Sequence, residues 1–193
     1  TAVRVAVREA IHPVAVRRSR HKLGRLWIDL ITDEFHVPFP RRPPTPAPRG
    51  LMPPATEAEL FARLDALGIA HATHRHRPVF TVDEGADLKA RMPGGHSKNL
   101  FLKDKKGALF LVCAISDSVI NLNALSKTLG AGRFSFGPAE LLARHLGVEP
   151  GSVTLFALLN DPDRAVTLVL DEALFAHDPV NFHPLRNDAT TAI

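Results

Sequence analysis

A few groups of residues in this chain have side chains and spacing that could do chemistry. Lys98 stands at the mouth of an apolar run, directly after Pro93-Gly94-Gly95-His96-Ser97. Glycines there would let a ligand approach the backbone beside a cation, although a lysine at a strand start is also well explained by solvation. Pro150-Gly151-Ser152-Val153-Thr154 is a second glycine-bearing turn into an apolar run. Its backbone N–H groups could bind an ester or carboxyl oxygen, and an ordinary turn would read the same way. Phe182-His183-Pro184-Leu185, with Asn187 and Thr190, is a polar cluster near the end of the sequence, where loose tails are common. His71, His74 and His76 raise the question of zinc. In a strand His74 and His76 would share one face and His71 would point the other way, so a polar surface strand is the favoured account and no metal is expected. Cys113 lies inside LFLVCAI, where a free cysteine behaves as a small hydrophobe. A nucleophile would need a lowered pKa and a nearby base. No Gly-x-Ser-x-Gly or phosphate-loop pattern occurs.

The elements that must position these residues can be read from local signals. Thr56 followed by Glu59, apolar Leu60, Phe61, Leu64 and Leu67, and Gly68 as terminator spell a capped helix. Residues 70–81 alternate and read as one or two short strands, with Pro78 at an edge or bend. Asp83 to Arg91 reads as a short helix ended by Met92-Pro93-Gly94-Gly95. Two apolar runs flank Asp104-Lys105-Lys106-Gly107 and predict a hairpin. Helices are expected over Asn121 to Leu129 and Ala139 to Leu146, each stopped by a glycine. VTLFALL reads as a strand running to the turn Asn160-Asp161-Pro162-Asp163, with AVTLVLD as its hairpin partner. A helical turn at Glu172 to Phe175 and a strand at Val180 to Phe182 complete the order. Hairpins rather than regular βαβ crossovers dominate this reading. It predicts an α/β (α+β) single domain, a mixed sheet with helices around it, and not a doubly wound nucleotide-binding fold.

Charge divides the chain. Residues 1–50 hold 10 Lys/Arg against 4 Asp/Glu, whereas residues 51–193 hold 14 against 16. The pI of 9.6 therefore comes from the first quarter. That quarter also carries 7 of the 16 prolines, which favour extended, solvated chain. Residues 1–51 are expected to be a basic appendage without a core of their own, with Met52 a natural start, and 52–193 the working domain. The competing reading of the segment is a basic arm for nucleic acid or membrane. No run of 18 apolar residues exists to span a bilayer, and no secretory leader is recognisable. With a single cysteine, neither a disulfide framework nor a multi-cysteine zinc site can form. The cytoplasm is the expected location and no membrane partner is expected.

The strings RPVFTVDE, GGHSKNLFLKDKKG, GVEPGSVTLFALLND and FHPLRNDATTAI, in that order, resemble the YbaK-like prolyl-tRNA synthetase-associated editing domains, and within them the free-standing Ala-tRNA(Pro) deacylases. The likeness covers nearly all of residues 54–193, and the first fifty residues have no counterpart in it. It implies a single mixed, β-barrel-like sheet surrounded by helices and hydrolysis of the ester joining a wrong amino acid to the tRNA 3′ end. It further implies that Lys98 contacts the terminal adenosine or its phosphate and that Asn99 helps fix the substrate. Gly151, Ser152 and Val153 would hold the aminoacyl ester, and His183 would line the amino-acid pocket. Many relatives carry Pro four residues after the glycine of this turn, where this chain has Leu155, so the rigidity of that wall is expected to differ. No cofactor is implied. The implied partners are alanine-charged tRNA(Pro) and, transiently, prolyl-tRNA synthetase.

An aminoacyl ester is already activated, so positioning a water and stabilising the oxyanion suffice in principle. An unperturbed lysine is protonated at pH 7 and suits an anion rather than general-base duty. Lys103, Lys105 and Lys106 in the hairpin are the candidates for tRNA contact, and a solvated turn explains them equally well. A deacylase for mischarged serine or cysteine, and a non-catalytic nucleic-acid-binding module, remain the alternatives. Aromatic residues at 6% and the absence of Tyr weigh against a base-stacking platform.

Overall fold

A computed structural model describes residues 5–7, 53–78 and 91–193. The first helix, α1 (Glu57–Ala66), starts where the sequence says it should. The Thr56 hydroxyl accepts from the Glu59 N–H at 3.2 Å, and the Glu59 carboxylate accepts from the Thr56 N–H at 2.6 Å, so two helix-end donors are satisfied reciprocally. Its Leu60 and Leu64 are fully buried, each stabilising by about 1.5–3 kcal/mol relative to exposure.

The strands are β1 (Val5–Val7), β2 (Ala72–Arg75), β3 (Gly95–Asp104), β4 (Leu109–Ile115), β5 (Phe134–Phe136), β6 (Val166–Asp171), β7 (Val180–Phe182) and β8 (Ala189–Ala192). Among the described residues they join into one mixed sheet in the order β1-β6-β4-β3-β7-β8-β2, with β5 added alongside β3. The β3–β4 hairpin forms as expected, in antiparallel register from Ser97↔Ile115 to Lys103↔Leu109. Its turn is built on Asp104, whose carboxylate accepts from the backbone N–H groups of Lys106 (2.8 Å), Ala108 (2.9 Å) and Gly132 (2.8 Å). Two further helices, α2 (Leu122–Thr128) and α3 (Ala139–Leu146), stand where they were expected, with Asn121 capping the first of them.

Three expectations are corrected. VTLFALL is not a strand: Leu155–Asn160 is a 3₁₀ helix, started by the Thr154 hydroxyl accepting from the Phe156 N–H. Leu155, Phe156 and Ala157 are all buried. A short run buried on every side has no periodicity to separate helix from strand. AVTLVLD consequently has no hairpin partner there, and β6 instead lies parallel to β4, from Leu109↔Val166 to Cys113↔Leu170. A long crossover through α2, β5 and α3 thus exists where only hairpins were expected. The end of the sequence is also ordered. β8 lies between β7 and β2, and Ile193 exchanges both backbone hydrogen bonds with Val180.

The main core lies on one side of the sheet and includes Phe101, Leu111, Cys113, Phe156 and Phe182. A second cluster on the other side holds Leu102, Phe110, Val112, Leu125 and Phe134, with Phe110 and Phe134 edge to face at 4.9 Å. The pairing of β1 with β6 was not expected from the sequence. The remainder of the basic segment and most of the proposed helix from Asp83 to Arg91 fall outside the described residues.

Candidate functional site

Strand alternation sorts the candidate residues onto two faces. Along β3, Ser97, Asn99 and Phe101 share the face of the main core, while His96, Lys98, Leu100 and Leu102 point to the other. The parallel register His96↔Asn181 places Asn181 with Lys98. The antiparallel pair Asn181↔Ala192 places Ala192, and by alternation Thr190, on that face as well. Lys98, His96, Asn181 and Thr190 therefore form a polar strip beside the second cluster.

The Lys98 ammonium donates to the carbonyl of Ser116 at 2.8 Å and to that of Ser118. Both carbonyls follow the end of β4, whose Ala114 is the cross-strand partner of Lys98. The segment is held in turn by the Ser116 N–H donating to the His96 carbonyl (2.7 Å) and by the Ser118 hydroxyl donating to Asp171 at the end of β6 (2.9 Å). Three strand ends thus converge on one cation.

His183 belongs to the same strip. Its ring lies 6.3 Å from that of His76, and His76 Nε2 meets the Thr190 hydroxyl at 2.8 Å. His183 Nδ1 faces the Ala189 carbonyl at 3.0 Å. A carbonyl only accepts, so in the neutral ring Nδ1 carries the proton and Nε2 is left as an acceptor. Burial pushes the His183 pKa below the ordinary imidazole range, partly offset by the Ala189 bond and helped by the neighbouring His76. The neutral form prevails at pH 7.

Gly94 and Gly95 serve a different purpose from the one expected. A Cβ on Gly94, which has φ +93°, would come within 2.1 Å of the Pro179 carbonyl oxygen, and one on Gly95 within 2.6 Å of the His177 ring. The approach they permit is that of the chain's own His177–Pro179 segment. Asn181 completes this junction. It is 2% exposed, and its side-chain amide donates to the carbonyls of Pro93 (2.9 Å) and Gly95 (3.2 Å). Its backbone carbonyl accepts from the Ser97 hydroxyl at 2.8 Å.

Other candidates are less directly joined to Lys98. Asn99 leaves β3 on the core face, where its amide donates to Ser97 at 3.3 Å and its Oδ1 is buried without a partner among the described residues. Adjacent in sequence, Lys98 and Asn99 are separated by the sheet. Gly151 takes φ +90° and the Ser152 N–H donates to the Glu149 carbonyl at 3.0 Å, so that amide is already used within the turn. Val153 packs on the main core. The turn reaches β7 through the edge-to-face contact of Phe156 with Phe182 at 5.5 Å, one residue before His183. Lys105 and Lys106 are exposed at the hairpin tip and Lys103 is half-buried.

The histidines of the β2 region go to separate partners. His71 stacks on Phe61 at 4.9 Å and meets Asp65 at 3.3 Å, whereas His76 meets Thr190 and the Arg77 carbonyl. Among the described residues no three His, Cys, Asp or Glu side chains converge as a metal set. Cys113 is fully buried, and burial pushes its thiol far above the ordinary range, which leaves it unreactive. Sequence reading missed Asn181 and the Ser116 and Ser118 carbonyls, and weighed His76 only as a metal ligand. Asn181 stands directly before the FHPL string, but a backbone carbonyl carries no sequence signal.

Comparison with known proteins agrees with this architecture. Residues 76–193 match the family model described as the aminoacyl-tRNA editing domain. The chain is 41% identical over 137 residues to a Danio rerio prolyl-tRNA synthetase associated domain-containing protein 1, covering 70% of this chain and 74% of that one. It is 34% identical over 135 residues to the prolyl-tRNA editing protein ProX of Acetoanaerobium sticklandii, covering 69% and 82%. A crystal structure of a protein proposed as a trans-editing enzyme for prolyl tRNA synthetase shares the fold, with a TM-score of 0.56 at 18% identity over 72% of this chain and 87% of that one. From its matched residues and its mixed sheet, this chain belongs to the aminoacyl-tRNA editing domain family.

Proposed function

We propose that this protein is a trans-editing hydrolase that cleaves the ester of mischarged Ala-tRNA(Pro) and spares Pro-tRNA(Pro). The observation that carries the reading is the polar strip in which a fixed lysine ammonium and a neutral histidine with a free acceptor nitrogen share one sheet face. The ammonium offers a counter-charge for a phosphate or developing oxyanion. The imidazole Nε2 offers an acceptor for an N–H or O–H of the substrate. The chain's family and its likeness to a prolyl-tRNA editing protein favour this substrate class.

In the reaction a water oxygen bonds to the ester carbonyl carbon, the carbon–oxygen bond to the ribose breaks, and the proton of water passes to the departing ribose oxygen. The products are free alanine and uncharged tRNA. A ribose hydroxyl of the substrate assists the water, so the protein's task is placement and charge stabilisation, and no cofactor is required. Discrimination is a matter of size. A synthetase pocket made for proline gains only about 1–3 kcal/mol per missing methylene against a smaller side chain, whereas a pocket fitted to alanine excludes the larger ring sterically. Transient association with prolyl-tRNA synthetase would present the mischarged product.

The test is a panel of Ala-, Ser- and Cys-charged tRNA and Pro-tRNA(Pro) incubated with the full chain. Loss of alanine alone supports the proposal. Preferential loss of serine or cysteine moves the protein to another small substrate, and survival of all four charges refutes hydrolysis.

A further inference from the structure

Phe136 is 67% exposed, and it and Val119 are the large hydrophobic residues left open to solvent among the described residues. Composition argued against an aromatic platform, but a platform for one base needs a single ring. The pair Leu102↔Phe136 puts Phe136 on the same face as Leu102, Leu100 and Lys98. Two residues earlier in β5, Phe134 turns to that face too and is buried against Phe110 in the second cluster. Phe136 therefore sits at the rim of the cluster that Lys98 borders at its other end.

Four steps along β3 lead from Lys98 to Leu102, about 13 Å at a strand rise of about 3.3 Å per residue, and one strand spacing of about 4.8 Å leads across to Phe136, with Leu122 and Leu125 of α2 packed over the cluster between them. The four unpaired nucleotides at a tRNA 3′ end cover about 14 Å when stacked at about 3.4 Å each, and more when unstacked to pass around α2. The surroundings carry the matching charge. Lys105, Lys106 and Arg133 are exposed at the start of β5 and the hairpin tip, with the Arg133 carbonyl accepting from the Lys105 N–H at 3.1 Å. The acidic residue at their centre, Asp104, is buried and its carboxylate is occupied by three backbone donors.

We propose that Phe136 is a stacking platform for an unpaired base of the RNA 3′ strand, with the hairpin cations holding the flanking phosphates while the 3′ terminus lies at Lys98. An exposed ring near the exposed cations Lys105, Lys106 and Arg133, against the one exposed acid of its own segment, Glu140, fits a stackable polyanion better than an apolar protein surface. The inference rests on the proposed tRNA substrate but can be tested apart from hydrolysis.

The probe is an uncharged RNA hairpin ending in four unpaired nucleotides with 2-aminopurine replacing one of them, titrated with the full chain. F136A should weaken binding about 5- to 150-fold, as stacking energies of about 1–3 kcal/mol per base require, and should lose the quenching of 2-aminopurine. F136W should restore both, and F136L should not. The slope of log affinity against log salt should stay unchanged in F136A, because no phosphate contact is removed. Thermal stability of F136A within about 2 °C of the parent confirms that the exposed ring is not structural. Equal affinity in F136A, or full rescue by F136L, overturns the proposal. So does self-association of the parent that F136A abolishes while RNA affinity is retained, since the ring would then serve a second copy of the chain. If quenching depends on Phe136 but no charged tRNA is hydrolysed, the platform stands and the hydrolase reading fails.

Discussion

Replacing Asp104 tests whether one buried carboxylate organises the face on which RNA is proposed to lie. The side chain is 3% exposed and accepts three backbone hydrogen bonds, from Lys106, Ala108 and Gly132. Burial raises its pKa, but the Gly132, Ala108 and Lys106 donors and the Lys106 charge outweigh that, and the net position is below the usual carboxylate range. In Asp104→Ala the Gly132 N–H is left without its acceptor in a buried place, a loss of about 1.5–3 kcal/mol for a bond to a charged group. Lys106 and Ala108 are exposed and can turn to water, so their loss adds about 0.5–1 kcal/mol each. The sum is about 2.5–5 kcal/mol, readable as a fall in the urea midpoint or of roughly 5–20 °C in Tm for a domain this size. The pH dependence has a definite sign. A carboxylate whose folded pKa is depressed contributes stability above its unfolded value of about 3.9, and that contribution disappears as pH falls through the folded value. The gap between the parent and Asp104→Asn should therefore be full at pH 6–7 and close below about pH 4. A destabilisation under about 0.5 kcal/mol at pH 7, or a gap that widens in acid, would refute the reasoning.

Other parts of the site give sharper yes-or-no outcomes. Gly95→Ala places a Cβ within 2.6 Å of the His177 ring and should cost roughly 1–3 kcal/mol of stability by overpacking; a parent-like Tm would show that the segment can yield. By NMR titration His183 should titrate below an unperturbed imidazole, because burial lowers its pKa. Since the folded value lies below the unfolded one, His183 opposes folding as pH drops below about 6.5. His183→Gln should flatten that part of the stability profile, and an unchanged profile would count against the assignment.

How much was legible follows from where each signal resides. The Thr56 cap, the Asp104 turn and the helix at Ala139–Leu146 are local patterns, and local chemistry decides them. Leu155–Asn160 was misread because an apolar run buried on all sides fits two secondary structures. β8, ATTA, was missed because two threonines near a terminus suggest solvent, whereas Thr191 is fully buried and bonds Thr73 at 2.8 Å. That environment is supplied by β2, more than a hundred residues away. Lys98 and His183 could be named from the sequence, but their common face depends on the registers of β3, β7 and β8. Gly94 and Gly95 read from the sequence as room for a ligand beside Lys98, but the packed chain fills that room with Pro179 and His177.

The most direct measurement is single-turnover deacylation of Ala-tRNA(Pro) by the full chain and by Lys98→Ala and Lys98→Arg, each checked by thermal melting. Loss of an electrostatic stabiliser typically costs about 10²–10³ in rate. The account predicts a loss of that order in Lys98→Ala, with partial recovery in Lys98→Arg and Pro-tRNA(Pro) untouched throughout. A folded Lys98→Ala that deacylates as fast as the parent would contradict it.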